Sequence, residues 1–407
     1  MSDASFSQKL RSQLNFPIKQ KNVIFKIFLP LLFLFAFIVN IIAKNRRKKS
    51  YQNILNIISN AQKTNLDIIC IGNIIMGGTG KSPIVQAIAK EFLKKNYIVA
   101  IASRGMGKNI KPIYVNSFDP SGIEFLSDEN REHFELLKTN ILSHQVYYIL
   151  QNPCRQESLK FFLHEKNSPK FKNQKFILLL DDGLQHFQCP RDLNVCVWDS
   201  SLLSQSPMYP FPVGPYREGF GKKEFKQLLL EFDLRFWSRF PVNDIATYSD
   251  KVKKSLNAFA LEANSTDIFI AYQQAFYQLN SENNLVLLST DKLKSDIDSN
   301  KKAFVVAGIA NPQKFITDLK QFLNYENIDF FSLSDHGALN KKALHFMQQA
   351  EILFFTLKDY FRWCQHPVFS YIIKNKKTIL CSIEVTFYNH KCQNEDIVNK
   401  LLLTKKV

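Results

Sequence analysis

Short apolar runs alternate with amphipathic stretches over the first half of the chain. Leu66–Ile71 and Phe176–Leu180 are largely apolar runs of the kind that form buried strands. Between them, apolar residues recur at helical spacing after Pro83, which stands where the first turn of a helix tolerates proline. The alternation continues to about Asp199 and predicts an α/β fold, in which helices flank both faces of a parallel sheet.

A second α/β pattern follows in the C-terminal part of the chain. Ala303–Ala307, Ile328–Leu333 and Ile352–Thr356 have the pattern of strands, and Asn311-Pro312 is typical of a helix start. Residues 268–278 alternate enough to form strands or a connecting ribbon. The pattern therefore predicts a smaller C-terminal α/β domain in addition to the first sheet.

The N-terminal part contains an uncharged run rich in Phe and Leu, Ile27–Ala43, which is followed by a cluster of Lys and Arg within residues 44–49. The run is at the short limit of a membrane span, and Pro30 and Asn40 weaken it further as a span. A short transmembrane anchor and a helix lying in the membrane interface both stay open, and a buried core helix is the structural alternative. Membrane contact is favoured because Lys and Arg beside an apolar helix are attracted to anionic lipids. The positive-inside bias would then leave the rest of the chain cytoplasmic.

Composition and charge narrow the choice of partners. The chain has 407 residues and a net charge of +17, which favours an anionic partner: a membrane surface, a phosphorylated substrate or nucleic acid. Nucleic acid ranks last, and we expect none, because no zinc-finger spacing or RNA-binding aromatic motif is present. The seven cysteines form no CxxC pair, which argues against a disulfide framework or a zinc site and for a reducing compartment.

A glycine-rich run, Gly72–Pro83, stands between a predicted strand and a predicted helix. Glycines let backbone N–H groups surround phosphate oxygens, and the helix N-terminus adds positive partial charge. The run matches the pattern G-x-x-x-x-G-K-[ST] except at Ile75, where the pattern has glycine. We expect Lys81 to reach the β- and γ-phosphates of ATP and the Ser82 hydroxyl to bind Mg²⁺. The expected nucleotide-binding residues are Met76, Gly77, Gly78, Thr79, Gly80, Lys81 and Ser82. A glycine-rich turn that binds nothing is the structural alternative.

Two adjacent carboxylates, Asp181 and Asp182, end the predicted strand Phe176–Leu180 and precede Gly183. A carboxylate at the end of such a strand is where a P-loop enzyme holds its metal ion. One carboxylate would face the metal and the other the acceptor, and the sequence leaves their order open. We assign Asp181 to the metal and Asp182 to catalysis; a strand-terminal turn, for which Asp-Gly is common, is the structural alternative.

These two motifs, with others in the same order, resemble the tetraacyldisaccharide 4'-kinases, the lipid A kinases of Gram-negative bacteria. The resemblance covers roughly Gly72–Asp359. Its blocks are Gly72–Pro83, Ser103–Gly105, Asp128–Glu129, Asp181–Val195, Phe211–Glu218, Gly308–Pro312, Asp335–His336 and Thr356–Asp359. Each block is weak alone, and their shared order makes the match specific.

The resemblance implies transfer of the ATP γ-phosphate to the 4'-hydroxyl of a tetraacyldisaccharide 1-phosphate, which gives lipid IVA. It also implies a lipid-anchored disaccharide substrate, a place at the cytoplasmic face of the bacterial inner membrane, and no stable protein partner. The family pattern places the pair that activates the acceptor hydroxyl at Asp128 and His336, and such a pair can take the proton of a sugar hydroxyl. Glu218 is a candidate second metal carboxylate, with a surface ion pair as its alternative.

The chain departs from the family pattern at two loops. Asn130 stands where the family has proline after Asp-Glu, and Met106 stands where it has tyrosine after Arg-Gly. Neither change removes a reacting group. Two rival functions stay open: a membrane-tethered P-loop ATPase or nucleotide switch acting on a protein partner, and a non-enzymatic membrane scaffold with a degenerate P-loop.

The expected organisation has four consecutive segments. They are an N-terminal membrane-associating helix with a basic flank at 1–49, a P-loop kinase domain at 50–265, a connecting ribbon at 266–300 and a smaller C-terminal α/β domain at 301–407. We expect the C-terminal domain to bring His336 to the active site when both substrates are bound.

Overall fold

The computed structural model describes residues 27–61, 66–75, 79–105, 111–139, 142, 144–186, 189–199, 208–297, 302–309 and 311–405. The α-helices in these ranges are α1 Leu29–Ala61, α2 Lys81–Lys94, α3 Asp128–Lys138, α4 Arg155–Lys166, α5 Gly221–Glu231, α6 Ile245–Asn257, α7 Thr290–Asp296, α8 Pro312–Leu323, α9 Lys341–Gln348, α10 Leu357–Trp363, α11 Pro367–Lys374 and α12 Ile397–Lys405. The strands are β1 Leu66–Gly72, β2 Tyr97–Ser103, β3 Ile113–Asn116, β4 Tyr147–Gln151, β5 Lys175–Asp181, β6 Leu193–Asp199, β7 Leu234–Pro241, β8 Asp267–Leu279, β9 Leu285–Leu288, β10 Ala303–Ala307, β11 Ile328–Ser332, β12 Ile352–Thr356 and β13 Lys377–Tyr388.

The chain folds into two compact units that interleave along the sequence. The smaller unit contains Leu126–Thr139 and Gln273–Glu384, and the larger unit contains the described residues before, between and after these segments. The predicted segments 50–265, 266–300 and 301–407 are instead consecutive, and their boundaries stay a prediction. Interleaving leaves no trace in local hydrophobic pattern, because β8 and β13 each continue from one unit into the other without a break.

The larger unit is built on a sheet in the order β7-β6-β1-β5-β2-β4-β3. All neighbouring pairs in this order are parallel except β3 with β4, and the first part of β8 pairs in parallel with β7. Strand β2 is buried throughout and β1 is buried except at Asp67, as their apolar sequences predict, and α2 packs against β2 and β5. In an open parallel sheet, ligands bind outside the carboxyl ends of the strands. That edge is where β1 runs into the glycine-rich loop and β5 ends at Asp181.

Helix α1 belongs to the larger unit and continues from the apolar run through the basic cluster. Ala36 and Asn40 on this helix are buried, with 0% and 2% of their surface exposed. The outward face carries a row of exposed large apolar side chains: Leu31, Leu34, Phe35, Phe37, Ile38, Ile41 and Ile42. Within the described ranges, no helix is both long enough and apolar enough to span a membrane.

In the smaller unit, four strands pair in parallel in the order β11-β10-β12-β13. The end of β8 forms an antiparallel pair with β9. Helix α3 joins this unit from an earlier part of the chain and packs against α10. Apolar side chains such as Leu136 and Phe361 take part in one buried cluster there. This packing fixes the first turns of α3 and α10, which both carry polar residues described below.

The predicted fold class is confirmed: a parallel sheet with flanking helices, a smaller C-terminal α/β part and an N-terminal hydrophobic helix. The strands predicted at Ala303–Ala307 and Ile352–Thr356 have the bounds that the structure gives. Asn311 caps α8 by accepting a hydrogen bond from the Lys314 N–H, as the Asn-Pro start predicts.

Candidate active site

The glycine-rich loop connects the buried strand β1 to helix α2 in the larger unit. Met76, Gly77 and Gly78 lie outside the described residues, so the nucleotide-binding role predicted for them stays a prediction. The loop end is held by three hydrogen bonds. Asn73 Nδ2 donates to Thr79 Oγ1 at 2.8 Å, the Ser238 hydroxyl donates to the Thr79 carbonyl at 3.0 Å, and the Tyr272 hydroxyl donates to the Gly80 carbonyl at 2.7 Å. The loop end is therefore held both by the start of the loop and by the strands β7 and β8.

Gly80 is the position of this loop at which glycine is required. Its φ of +78° lies in the left-handed region, and a Cβ there would approach the Tyr272 hydroxyl oxygen to 2.2 Å. Only a residue without a side chain can turn the chain this closely against β8. The tight turn lets α2 begin directly at Lys81.

Lys81 and Ser82 form the first turn of α2, where unsatisfied backbone N–H groups carry positive partial charge. The Lys81 ammonium lies 3.4 Å from Asp182 Oδ1. Ser82 is buried, with 5% of its surface exposed. The structure thus brings together Lys81, which we expect to reach the β- and γ-phosphates, and Asp182, which we assign to catalysis.

The two aspartates follow from the register of the sheet. Ile71 of β1 pairs with Asp181 of β5, so the carboxylates emerge beside the start of the glycine-rich loop. Asp181 is buried and ends the strand, whereas Asp182 turns away with a φ of +50°. The buried Arg155 donates hydrogen bonds to the backbone carbonyls of both. This arginine was not predicted as a site residue, and its hydrogen bonds hold the backbone of the turn in place.

Asp182 is held in its ionised form. Burial alone would raise the pKa of this carboxyl, but the charges of Lys81 and Arg217 outweigh it and lower the pKa. Arg217 Nη2 lies 3.6 Å from Asp182 Oδ2. Asp182 can therefore act as a fixed negative charge that orients both cations.

Arg217 ties the segment Phe211–Glu218 to the loop. Its backbone N–H donates to the Ile74 carbonyl at 2.7 Å, and its Nη1 donates to Gln185 Oε1. Gln185 Nε2 in turn donates to the Asn73 carbonyl at 2.7 Å. Glu218, the next residue, is buried with 5% of its surface exposed. The family blocks around 72–83, 181–195 and 211–218 therefore meet at one edge of the sheet.

Oxygen donors for a magnesium ion are available in this part of the chain. Ser82, Asp181 and Glu218 supply one hydroxyl and two carboxylates, all buried. No group of three or more His, Cys, Asp or Glu side chains among the described residues could hold a metal ion. One hydroxyl and two carboxylates nevertheless fit Mg²⁺, which in kinases is held by one or two protein carboxylates together with phosphate oxygens and water.

His186 is close to the same turn but is not suited to proton transfer near neutral pH. Burial and the positive charge of Arg155 lower its pKa to about 4. The imidazole is therefore neutral at physiological pH.

The second predicted pair lies within the smaller unit. Asp128 begins α3, and His336 follows β11, with the two atoms Asp128 Oδ2 and His336 Nδ1 3.2 Å apart. His336 has a φ of +57°, and its backbone N–H donates to the Gly308 carbonyl at 2.9 Å. Arg362 Nη2 also lies 3.2 Å from Nδ1. When the proton is on Nδ1, Asp128 accepts it in a hydrogen bond and Nε2 is the basic atom.

Arg362 on α10 organises this pair and was not predicted. Its guanidinium donates to Asp128 Oδ2, to Asp359 Oδ1 at 2.8 Å and to the Gly308 carbonyl at 3.1 Å. Asp359 is fully buried and accepts from the Gly308 N–H. The available signal was the spacing of Asp359 and Arg362, since residues three apart on a helix lie on the same face.

The electrostatics of the pair suit a general base. Burial would raise the pKa of Asp128, but the hydrogen bond to His336 and the charge of Arg362 outweigh it and lower the pKa. The hydrogen bond to Asp128 raises the pKa of His336, against the smaller opposing effect of burial. An imidazole supported by a carboxylate in this way is a stronger proton acceptor than a free one.

Comparison with known proteins gives the family. The family model described as "LpxK: Tetraacyldisaccharide-1-P 4'-kinase" matches residues 28–402. The chain belongs to this family. The predicted family is thereby confirmed, and with it the class of enzyme.

Individual relatives agree with the family match. A tetraacyldisaccharide 4'-kinase of Francisella philomiragia subsp. philomiragia is 27% identical over 330 residues, which cover 80% of this chain and 87% of that protein. The protein of the same name from Francisella tularensis subsp. tularensis is 28% identical over 260 residues, covering 64% of this chain and 69% of that one.

A solved structure shares the fold. The crystal structure of the "apo" form of LpxK from Aquifex aeolicus in complex with ATP has a TM-score of 0.52 at 18% identity, covering 89% of this chain and 99% of that one. At this identity the likeness shows the fold alone, and it confirms the predicted architecture.

Proposed function

We propose that the chain transfers the γ-phosphate of ATP to the 4'-hydroxyl of a tetraacyldisaccharide 1-phosphate and so forms lipid IVA. The observation that carries the proposal is the family match over residues 28–402. The arrangement of Lys81 beside Asp182, at the end of a glycine-rich loop, supports phosphate chemistry at the larger unit.

The nucleotide end of the reaction belongs to the larger unit. Thr79, Gly80, Lys81 and Ser82 would hold the phosphates of ATP, together with the predicted residues 76–78. Ser82, Asp181 and Glu218 would hold Mg²⁺, which would supply positive charge at the phosphate oxygens. Lys81 stabilises the charge on the transferring group, and Asp182 keeps the lysine directed towards it.

The acceptor end of the reaction belongs to His336 and Asp128. Nε2 of His336 takes the proton of the 4'-hydroxyl as that oxygen bonds to the γ-phosphorus of ATP, and the bond from this phosphorus to the bridging oxygen breaks to release ADP. Asp128 keeps the proton of His336 on Nδ1 and stabilises the imidazolium that forms. Arg362 keeps Asp128 in place, because it binds the carboxylate and the buried Asp359 at once.

We propose that the protein contacts the membrane through α1. Its outward face exposes a row of large apolar side chains, including Phe35 and Ile38, and the helix continues into the basic cluster. Such a face buries its apolar side chains among lipids, and the basic residues bind anionic headgroups. We place the protein at the cytoplasmic face of the bacterial inner membrane, where the acyl chains of the acceptor remain in the bilayer.

Incubation with γ-labelled ATP, Mg²⁺ and a detergent-dispersed tetraacyldisaccharide 1-phosphate tests the proposal. We expect the label on the lipid, and its appearance there should depend on both ATP and Mg²⁺. Label found only as free phosphate would support the ATPase alternative and overturn the kinase proposal. Mass spectrometry of the product separates the 4'-phosphate from a phosphate at another hydroxyl.

A further inference from the structure

Asn40 is a polar residue in the middle of an apolar helix, yet it does not face outward. Only 2% of its surface is exposed, whereas its neighbours Ile38 and Ile41 on α1 are 43% and 41% exposed. The amide is directed into the larger unit, where its hydrogen-bond partners among the described residues are Gly219 and Glu224. Asn40 interrupts the apolar run of α1, and its side chain binds the helix to the larger unit.

Both ends of the Asn40 amide are used. Its Oδ1 accepts a hydrogen bond from the buried Gly219 N–H at 2.8 Å. Its Nδ2 donates to Glu224 Oε2 at 2.7 Å, and the same oxygen accepts from the Phe220 N–H at 2.9 Å. Lys44, one turn further along α1, pairs with the other oxygen of Glu224. The start of α5 and the residues before it are thus bound to α1 through polar contacts.

Aromatic contacts reinforce the same junction. Phe33 packs edge-on against Tyr209, with the ring centroids 4.9 Å apart, and Phe37 packs edge-on against Phe220 at 5.8 Å. Tyr209 and Phe220 also contact each other at 5.1 Å. Aromatic packing and the hydrogen bonds of the Asn40 amide therefore both join the segment around Gly219 to α1.

The two residues before Gly219 belong to the candidate active site. Gly219 follows Glu218 and Arg217 directly, and Arg217 contacts Asp182 and the Ile74 carbonyl. Ile75 forms a β-bridge with Tyr216. A short, continuous chain of contacts therefore leads from the lipid-facing helix to the start of the glycine-rich loop.

We propose that Asn40 is a positioning residue that fastens α1 to the segment 216–220, so that contact of α1 with a lipid surface orders Arg217 and Glu218 for the reaction. The inference rests on the proposed membrane contact of α1 and goes beyond it. A lipid surface restrains the outward face of the helix, and the Asn40 amide transmits that restraint to the Gly219 N–H. When a lipid surface already orders residues 216–220, less conformational entropy is lost on substrate binding.

The test compares Asn40→Leu with Asn45→Leu, the same change at an exposed position on the same helix. Three quantities are measured for each full-length variant: co-sedimentation with vesicles of phosphatidylethanolamine and phosphatidylglycerol, kcat and KM for the lipid acceptor, and amide hydrogen exchange of residues 208–221 with and without vesicles. The leucine retains the apolar character of α1, so vesicle binding should be kept in both variants.

We expect vesicles to slow exchange at Gly219 and Phe220 in the unchanged protein and in Asn45→Leu. In Asn40→Leu this slowing should be lost, and kcat should fall about tenfold with KM within about twofold, because a buried N–H loses its acceptor. Unchanged kcat and unchanged vesicle protection in Asn40→Leu would overturn the proposal, as would a segment that does not respond to vesicles in the unchanged protein. The exchange measurement gives this answer even if no lipid kinase activity is found, so the two proposals fail separately.

Discussion

Asp128 and His336 stand 208 positions apart in the sequence, and their side chains meet at 3.2 Å. Both belong to the smaller unit, since α3 leaves the first half of the chain and packs against α10. The pair is therefore built within one compact body. Its geometry depends on the packing of α3 on α10 and on the hydrogen bond of His336 N–H to Gly308.

Replacement of His336 by alanine should abolish most of the turnover. A general base of this kind contributes about 10²- to 10⁴-fold, so we expect kcat to fall by that amount while ATP affinity remains. Steady-state kinetics and nucleotide titration measure the two quantities. His345→Ala, a change at an exposed histidine on α9, serves as the control and should keep normal kcat. Equal kcat for the two variants would exclude His336 as the base.

The pH dependence of kcat should report the His336–Asp128 pair. The hydrogen bond to Asp128 raises the pKa of His336 above its usual value, and the base acts only when neutral. The rate should therefore rise with pH through that raised pKa. In Asp128→Asn the raising influence is lost, so the acidic limb should move to lower pH while the plateau falls. A limb that stays in place would show that another group titrates.

Arg362→Met should destabilise the smaller unit as well as slow the reaction. The change leaves the carboxylates of Asp128 and the fully buried Asp359 without their shared cation. Removing one partner from a buried charge pair costs about 3–5 kcal/mol, and the 15% exposure of Arg362 places the expected loss near the lower value. Urea denaturation measures the free energy of unfolding. Lys314→Met, which removes an exposed i,i+4 pair with Asp318, should cost less than about 0.5 kcal/mol.

Gly80→Ala should weaken ATP binding by moving the end of the glycine-rich loop. The new Cβ would meet the Tyr272 hydroxyl, and the left-handed φ adds a cost of about 1 kcal/mol. Gly122→Ala is the control for a positive-φ glycine outside this loop, with Ile113 Cγ2 at 3.8 Å from the ideal Cβ. Calorimetry with ATP should show normal affinity for Gly122→Ala and at least a tenfold loss for Gly80→Ala. Equal losses would show that the effect is not specific to the glycine-rich loop.

Lys81→Met should reduce affinity for nucleoside triphosphate more than for nucleoside. A charge-assisted hydrogen bond contributes about 1.5–3 kcal/mol, which corresponds to at least a tenfold change in the dissociation constant of ATP. Lys94→Met, at the exposed end of the same helix, should leave that constant unchanged. Isothermal titration with ATP and with adenosine distinguishes loss of phosphate contacts from general damage to the site.

Local pattern was enough for most elements of the fold. The apolar runs at Leu66–Ile71 and Ala303–Ala307 are strands because buried parallel strands are apolar on both faces. Asn311-Pro312 starts a helix because an asparagine side chain caps it. That α3 belongs to the smaller unit was not predictable in this way, since it depends on contacts between residues far apart in the sequence.

The residues of the candidate site likewise differ in whether local sequence pattern predicts them. Lys81, Ser82 and Asp181 follow from a loop and a strand end, whereas Asp128 and His336 came only from the order of family motifs. Arg362, Tyr272 and Asn40 carried no sequence signal strong enough to find them. Their importance lies in partners more than 50 residues away, such as Asp128 for Arg362 and Gly219 for Asn40.

The backbone at Asp182 and His336 has a consequence for the evolution of the protein. Both residues have positive φ, a conformation that costs a non-glycine residue about 1–2 kcal/mol. Glycine would relieve this strain at either position, but it would also remove the carboxylate that pairs with Lys81 and Arg217 or the imidazole that contacts Asp128. The two backbone conformations are therefore retained for the side chains that they position.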